Sequence, residues 1–249
     1  MEHLFYQSDV GKVRSHNEDA AHIFKNDHLT VLVVADGMGG HAYGDIASQM
    51  VIEQVKSKFH EDIQFGSSDA ARVWLKSILK ATNDQIIGYI EANKVEKGMG
   101  TTVVLAVLTP DFLAFAHVGD SRAYLMSQGQ LRQLTKDHTF VRKLIEEGKL
   151  SEQKAKSHPH RNIIMNALGV GTQVKFDYLV LERYELESVL LCTDGLTSMV
   201  DDPDIQDVLA KGQPTREKVE KLIDLANENG GRDNVTVALY EFGEGSETL

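Results

Sequence analysis

Val31-Leu32-Val33-Val34-Ala35 runs without a polar break straight into Asp36-Gly37-Met38-Gly39-Gly40. A short, largely β-branched apolar run closed by an Asp-Gly turn pair reads as a buried strand. Working outward, Leu4 to Ser8 and Ala20 to Phe24 have strand character and lead into the run through Leu29 to Ala35. A helix is expected from Asp45 onward, because Ile46, Met50, Val51, Val55 and Phe59 fall on one helical stripe. A second stripe runs through Ala71, Leu75, Ile78, Leu79, Thr82, Ile86 and Ile90. Short β-rich segments follow at Thr101 to Leu108, Leu113 to Val118, Ala123 to Met126 and Leu131 to Leu134, with connections short enough for antiparallel hairpins. The stretch from Thr139 to Leu168 turns polar and helical and reads as an insertion across the sheet edge. Strands resume at Val174 to Leu181 and Val189 to Thr193, and Val219, Leu222, Ile223 and Ala226 mark a last helix before the strand Val235 to Tyr240. Strands grouped with strands, and helices in pairs, predict an α+β fold rather than alternating βαβ units. No repeat or linker composition divides the chain, so residues 1–242 are expected to form one domain and 243–249 a disordered tail.

The bulk numbers narrow the function classes. Among 249 residues, 42% are hydrophobic, which suits a globular core. No apolar run approaches the length of a membrane span, and Met1-Glu2-His3 opens no positively charged signal region, so a cytoplasmic protein is expected. Cys192 is the single cysteine and cannot form an internal disulfide, which fits a reducing compartment. A formal charge of −11 opposes general affinity for nucleic acid or anionic membrane.

The chemistry concentrates on four aspartates in one context. Asp36, Asp120 and Asp194 each follow an apolar strand segment, and Asp233 precedes Asn234-Val235-Thr236-Val237. One such aspartate is most simply a turn former. Four of them at strand ends can converge, and converging carboxylates repel unless a cation neutralises them. Oxygen ligands without a Cys/His cluster suit Mg²⁺ or Mn²⁺, and a pair of such ions can acidify a trapped water for attack on phosphorus. Other phosphoryl machinery is absent: there is no Gly-x-x-x-x-Gly-Lys-Ser/Thr loop, and Cys192 has no downstream Arg to form a phosphate loop. Arg14, just ahead of Asn17-Glu18-Asp19, is the candidate for gripping two phosphate oxygens in parallel.

The segments Arg14-Ser15-His16-Asn17-Glu18-Asp19, Asp36-Gly37-Met38-Gly39-Gly40-His41, Gly98-Met99-Gly100-Thr101-Thr102, Val118-Gly119-Asp120-Ser121-Arg122, Asp194-Gly195-Leu196 and Asp233-Asn234-Val235-Thr236 together resemble the PP2C, or PPM, phosphatase family. They run in the family order from Asp9 to Leu239. The bacterial branch is the nearer match, with His158-Pro159-His160-Arg161-Asn162 where that branch carries a mobile flap. The resemblance implies a β-sandwich of two antiparallel sheets with helix pairs outside and a flap at about 139–168. It also implies a metal-dependent serine/threonine phosphatase acting on phosphorylated proteins, with two or three Mn²⁺ or Mg²⁺ ions.

Carried onto matching positions, the resemblance makes Asp36 a bridge between two metals and Gly37 a carbonyl ligand, with Asp194 and Asp233 completing the set. Glu18 acts through a metal-bound water, Asp19 and Asn234 stand behind the ligands, and Arg14 holds the phosphate. A third, weaker ion falls to Asp120 and Asp194. The animal branch has a His, the usual proton donor to the leaving group, where this chain has Met38, so His41 or a water must take that role. Tyr43 is larger than expected before Gly44. A serine/threonine kinase is the implied opposing partner, and the enzyme is expected to act as a monomer. Two other readings are a phosphopeptide-binding pseudo-enzyme, although no metal aspartate is missing, and a nuclease or small-phosphoester hydrolase, of which the acidic balance disfavours the nuclease.

Overall fold

The computed structural model describes residues 3–39, 43–96, 98–155, 157–183 and 185–243. Its elements are β1 (Leu4–Asp9), β2 (Asp19–Lys25), β3 (Thr30–Met38), α1 (Gly44–Lys58) and α2 (Ser68–Asn93), then β4 (Gly100–Thr101), β5 (Val103–Leu108), β6 (Phe112–Val118), β7 (Arg122–Ser127) and β8 (Gln130–Gln133). After these come α3 (Phe140–Glu146), α4 (Glu152–Ala155), β9 (Asp177–Glu182), β10 (Leu186–Cys192), α5 (Asp194–Thr197), α6 (Asp202–Leu209), α7 (Thr215–Glu228) and β11 (Val235–Glu241). One sheet has the order β1-β11-β10-β7-β8 and the other β2-β3-β5-β6-β9, with β4 also paired to β3. Every pairing is antiparallel.

The unbroken apolar run of β3 follows from its place in these layers. Successive side chains of a strand point to opposite faces. Val31, Val33 and Ala35 therefore pack with α1 and α2, while Leu32 and Val34 face the second sheet. β5 repeats the pattern, with Val103, Leu105 and Val107 toward the helices and Val104 and Ala106 between the sheets. The second sheet is covered in turn by α5, α6 and α7 through Leu196, Ile205, Val208, Val219, Leu222 and Ile223. In β3 the run buried on both faces, Val31 to Ala35, carries no polar side chain, and Asp36 stands where the strand leaves the sandwich.

α2 starts where Ser67 accepts a hydrogen bond from the Ala70 amide and ends where Lys94 takes a left-handed conformation. Its stripe of Ala71, Leu75, Ile78, Leu79 and Ile86 is fully buried, and each large member contributes about 1.5–3 kcal/mol.

Three elements differ from the expectation. The strand expected over Thr101 to Leu108 is broken at Thr102, and Gly100–Thr101 pairs instead with Gly37 and Met38 at the end of β3. β9 begins at Asp177 rather than Val174, although Val174 and Phe176 still pack against the core. The helix α6 has no long stripe; it begins at Asp202-Pro203 and buries only Ile205, Val208 and Leu209.

The insertion at 139–168 holds α3 and α4. Thr139 caps α3, accepting a hydrogen bond from Arg142 N–H at 3.3 Å, and α3 buries none of its residues. The insertion is closed at its base by the bridges Thr139 to Ile164 and Thr101 to Leu168. Of the expected tail, residues 244–249 lie outside the described residues.

Candidate metal centre

The antiparallel register of β2 and β3 places Asp19 directly opposite Asp36. Like charges so opposed repel, so the backbone must hold them. Gly37 N–H donates to the Glu18 carbonyl at 3.1 Å, and Ser48 Oγ on α1 donates to the same oxygen at 2.6 Å. A Cβ on Gly37 would overlap the Gly44 carbonyl oxygen, so this approach requires glycine. The Asp36 carbonyl accepts from Thr101 Oγ1 and from Thr102 N–H, both at 2.9 Å.

The other sheet delivers its residues to the same end of the sandwich. Thr193 and Thr236 are bound to each other across β10 and β11, Thr236 N–H donating to Thr193 Oγ1 at 3.0 Å. Both hydroxyls then donate to Asp19 Oδ2, at 2.9 and 2.7 Å. One sheet thus fixes a carboxylate that belongs to the other. Asp194 opens α5 directly after Thr193. Asn234 accepts Glu18 N–H on its Oδ1 at 2.9 Å and donates from Nδ2 to the carbonyls of Val10 and His16 at 3.0 and 2.9 Å. Asp233 Oδ2 pairs with Arg14 Nη2 at 2.8 Å, with both side chains partly exposed.

The electrostatics are those of crowded anions. Asp36 is held well above the usual carboxylate range, first by burial and then by Asp19, Asp194, Asp120 and Asp233. Burial pushes Asp19 up to about 7, opposed by the hydroxyls of Thr236 and Thr193 and reinforced by Asp194 and Asp233. Asp120 rises to about 7 through burial and then Asp194, and Asp194 rises to about 6 through burial and then Asp233.

Buried Glu18 Oε1 and Asp120 Oδ1 accept no hydrogen bond, two of only four buried side-chain polar atoms so placed among the described residues. Hard divalent cations fit this set, because they take carboxylate and carbonyl oxygens and remove the repulsion that raises the four aspartates.

Arg14, Glu18, Asp19, Asp36, Gly37, Asp120, Asp194, Asp233 and Asn234 are therefore gathered at one end of the two sheets. His41 lies outside the described residues. Sequence reasoning missed the hydroxyls of Ser48, Thr101, Thr102, Thr193 and Thr236. The available traces were the family-like segments, which hold Thr101, Thr102 and Thr236, and polar residues embedded in otherwise apolar strand segments, as in Cys192-Thr193-Asp194 and Val235-Thr236-Val237.

Residues 11–238 match the family profile described as Protein phosphatase 2C. The chain is 39% identical over 240 residues to the serine/threonine phosphatase stp of Listeria welshimeri, an alignment covering 96% of this chain and 95% of that protein. The crystal structure of the serine/threonine phosphatase Stp1 from Staphylococcus aureus is similar at a TM-score of 0.91 and 37% identity, covering 98% of this chain and 96% of that one. The catalytic domain of the serine/threonine protein phosphatase PstP, solved in complex with 2 manganese ions, is similar at a TM-score of 0.83 and 36% identity over 96% of each chain.

Proposed function

The chain belongs to the protein phosphatase 2C family and is a metal-dependent serine/threonine phosphatase, and on that premise we propose that its clustered carboxylates support hydrolysis of phosphoserine and phosphothreonine in proteins. Asp36 would bridge two Mn²⁺ or Mg²⁺ ions, with the Gly37 carbonyl, Asp194 and Asp233 completing their protein ligands and Glu18 acting through water. Asp120, together with Asp194, would hold a third and weaker ion. Bound there, such ions polarise the phosphoryl oxygens and lower the pKa of a water. The observation that carries the reading is the pair of buried, unpartnered oxygens on Glu18 and Asp120 within a group of aspartates that repel one another.

The chain's own residues supply the remainder. Arg14 stands half-exposed at the rim and exchanges Asp233 for a phosphate, for which its planar fork is suited. Asp19, fixed by Thr193 and Thr236, keeps the Asp36 strand end in place. Hydrolysis puts the oxygen of water on phosphorus and returns a proton to the serine or threonine oxygen. His41 is our candidate for that proton, since Met38 has none to give.

The opposing partner is a serine/threonine kinase, the insertion at 139–168 admits protein substrates, and the protein works as a cytoplasmic monomer. Among the described residues, no helix is long and apolar enough to cross a membrane. The test is phosphate release from a phosphothreonine peptide with Mn²⁺, with Mg²⁺ and with chelator. Activity is expected with either ion and none after exhaustive chelation; activity that survives chelation would sink the reading.

A further inference from the structure

Outside the carboxylate cluster, His117, His138 and Asp177 place ligand-type atoms within 4.8 Å of one another. The hydrogen bonds exclude a cation there. Gly119 N–H donates to His138 Nδ1 at 3.1 Å, so that nitrogen is an acceptor and the neutral ring carries its proton on Nε2, 3.5 Å from Asp177 Oδ2. A metal on Nε2 would have to strip the ring of its only proton. The ring is committed to Gly119 instead.

Gly119 immediately precedes Asp120, and its φ of +106°, with Thr102 pressed against the face a Cβ would occupy, leaves the turn no other residue. His138 grips this turn twice, with its own N–H donating to the Gly119 carbonyl at 2.8 Å. From its other side His138 holds the exit of the insertion: its carbonyl accepts Met165 N–H at 2.7 Å, and Nδ1 also receives Asn166 Nδ2 at 3.0 Å. Asn166 Nδ2 in turn donates to the Lys175 carbonyl at 2.8 Å. The same limb reaches the Asp36 side, where Thr101 and Leu168 exchange backbone hydrogen bonds at 3.1 and 3.0 Å.

We propose that His138 is a positioning residue that ties the Gly119–Asp120 turn to the exit limb of the insertion, so that the placement of the insertion sets the placement of Asp120. This rests on Asp120 being a ligand of the weaker ion. Asparagine can carry its Oδ1 where histidine has Nδ1, whereas leucine puts a methyl group there. The experiment counts Mn²⁺ bound to the whole protein by electron paramagnetic resonance of the free ion and follows the Gly119 amide resonance in the metal-free protein.

His138→Leu is expected to weaken the low-affinity class of Mn²⁺ sites about 10-fold, leave the tight class unchanged and shift the Gly119 amide. His138→Asn is expected to restore both. The surface change Asn166→Ala is expected to weaken the same class about 3-fold and to add nothing on top of His138→Leu. Equal behaviour of the Leu and Asn variants would overturn the proposal, as would additive effects of the two sites. If His138→Leu does not fold, an unaltered low-affinity class in Asn166→Ala overturns it alone. Asp120→Ala separates the premise from the inference: if it leaves the low-affinity class intact, the ligand reading has failed, and if it abolishes that class while His138→Leu does not touch it, the positioning role has failed.

Discussion

Asp36 and Asp194 each stand among carboxylates that raise one another's pKa, so either charge is a burden on the metal-free protein. Asp36→Asn or Asp194→Asn should lower turnover by on the order of 10³-fold, while the melting temperature in chelator stays the same or rises. A cooperative loss of folding in either variant would make these residues structural turns instead. Arg14 and Asp233 form a partly exposed pair whose contribution to stability is about 0–1 kcal/mol. Arg14→Lys should therefore melt like the parent yet raise the KM for phosphopeptide about 10-fold, because an ammonium cannot span two phosphate oxygens. An unchanged KM would remove Arg14 from the phosphate. For His41 the leaving group discriminates: His41→Ala should depress phosphoserine turnover by about 10² and p-nitrophenyl phosphate turnover far less, since serine departs as a strong base. Equal losses on both would leave His41 a role in positioning only. At this scale the aspartates could be read because Asp36, Asp120 and Asp194 each follow an apolar segment and Asp233 precedes one. The groups that orient them could not: Asp19 is bound by Thr193 and Thr236, 174 and 217 positions away, and only strand pairing brings those hydroxyls to it.

The insertion is loosely tied to the core along α3. α3 buries no residue, whereas both ends of the segment are bolted down at Thr139–Ile164 and Thr101–Leu168. Few buried contacts between two fixed ends favour local motion. Substitutions on the exposed faces of α3 and α4 should alter phosphopeptide turnover more than turnover of a small aryl phosphate, and equal effects across several variants would make the segment purely structural. Elements with a long apolar stripe, α2 and α7 among them, were legible from spacing alone. α6 was not, because eight residues opening on Asp-Pro offer three buried side chains and no repeat of the pattern. The break at Thr102 was equally hidden. Its cause is tertiary: the Thr102 amide is claimed by the Asp36 carbonyl and its hydroxyl by Ser121, at 2.9 and 2.7 Å.

Across the whole molecule the cluster couples folding to pH. Asp19 and Asp120 titrate near 7 and Asp194 near 6, against an ordinary 3.8, and Asp36 is raised as well. The metal-free native state therefore holds more protons than the unfolded chain across that interval, and its stability declines as pH rises through it. In chelator the melting temperature should be higher at about pH 5 than at about pH 8, and Mn²⁺ should raise it more at the higher pH. A melting temperature that climbs with pH in chelator would mean that these carboxylates find compensation within the protein. The sheet order carries a separate consequence, for the timing of synthesis. β11 lies between β1 and β10 rather than at an edge, and among the described residues β1 has no other partner in its sheet. Of the described strands, a ribosome makes this interior one last, and Asp233 emerges just ahead of it. Until then β1 waits unpaired and Asp19 lacks the hydroxyl of Thr236. A chain truncated before Val235 is therefore expected to release no phosphate from a phosphothreonine peptide, and residual activity in that variant would show that the cluster assembles without β11.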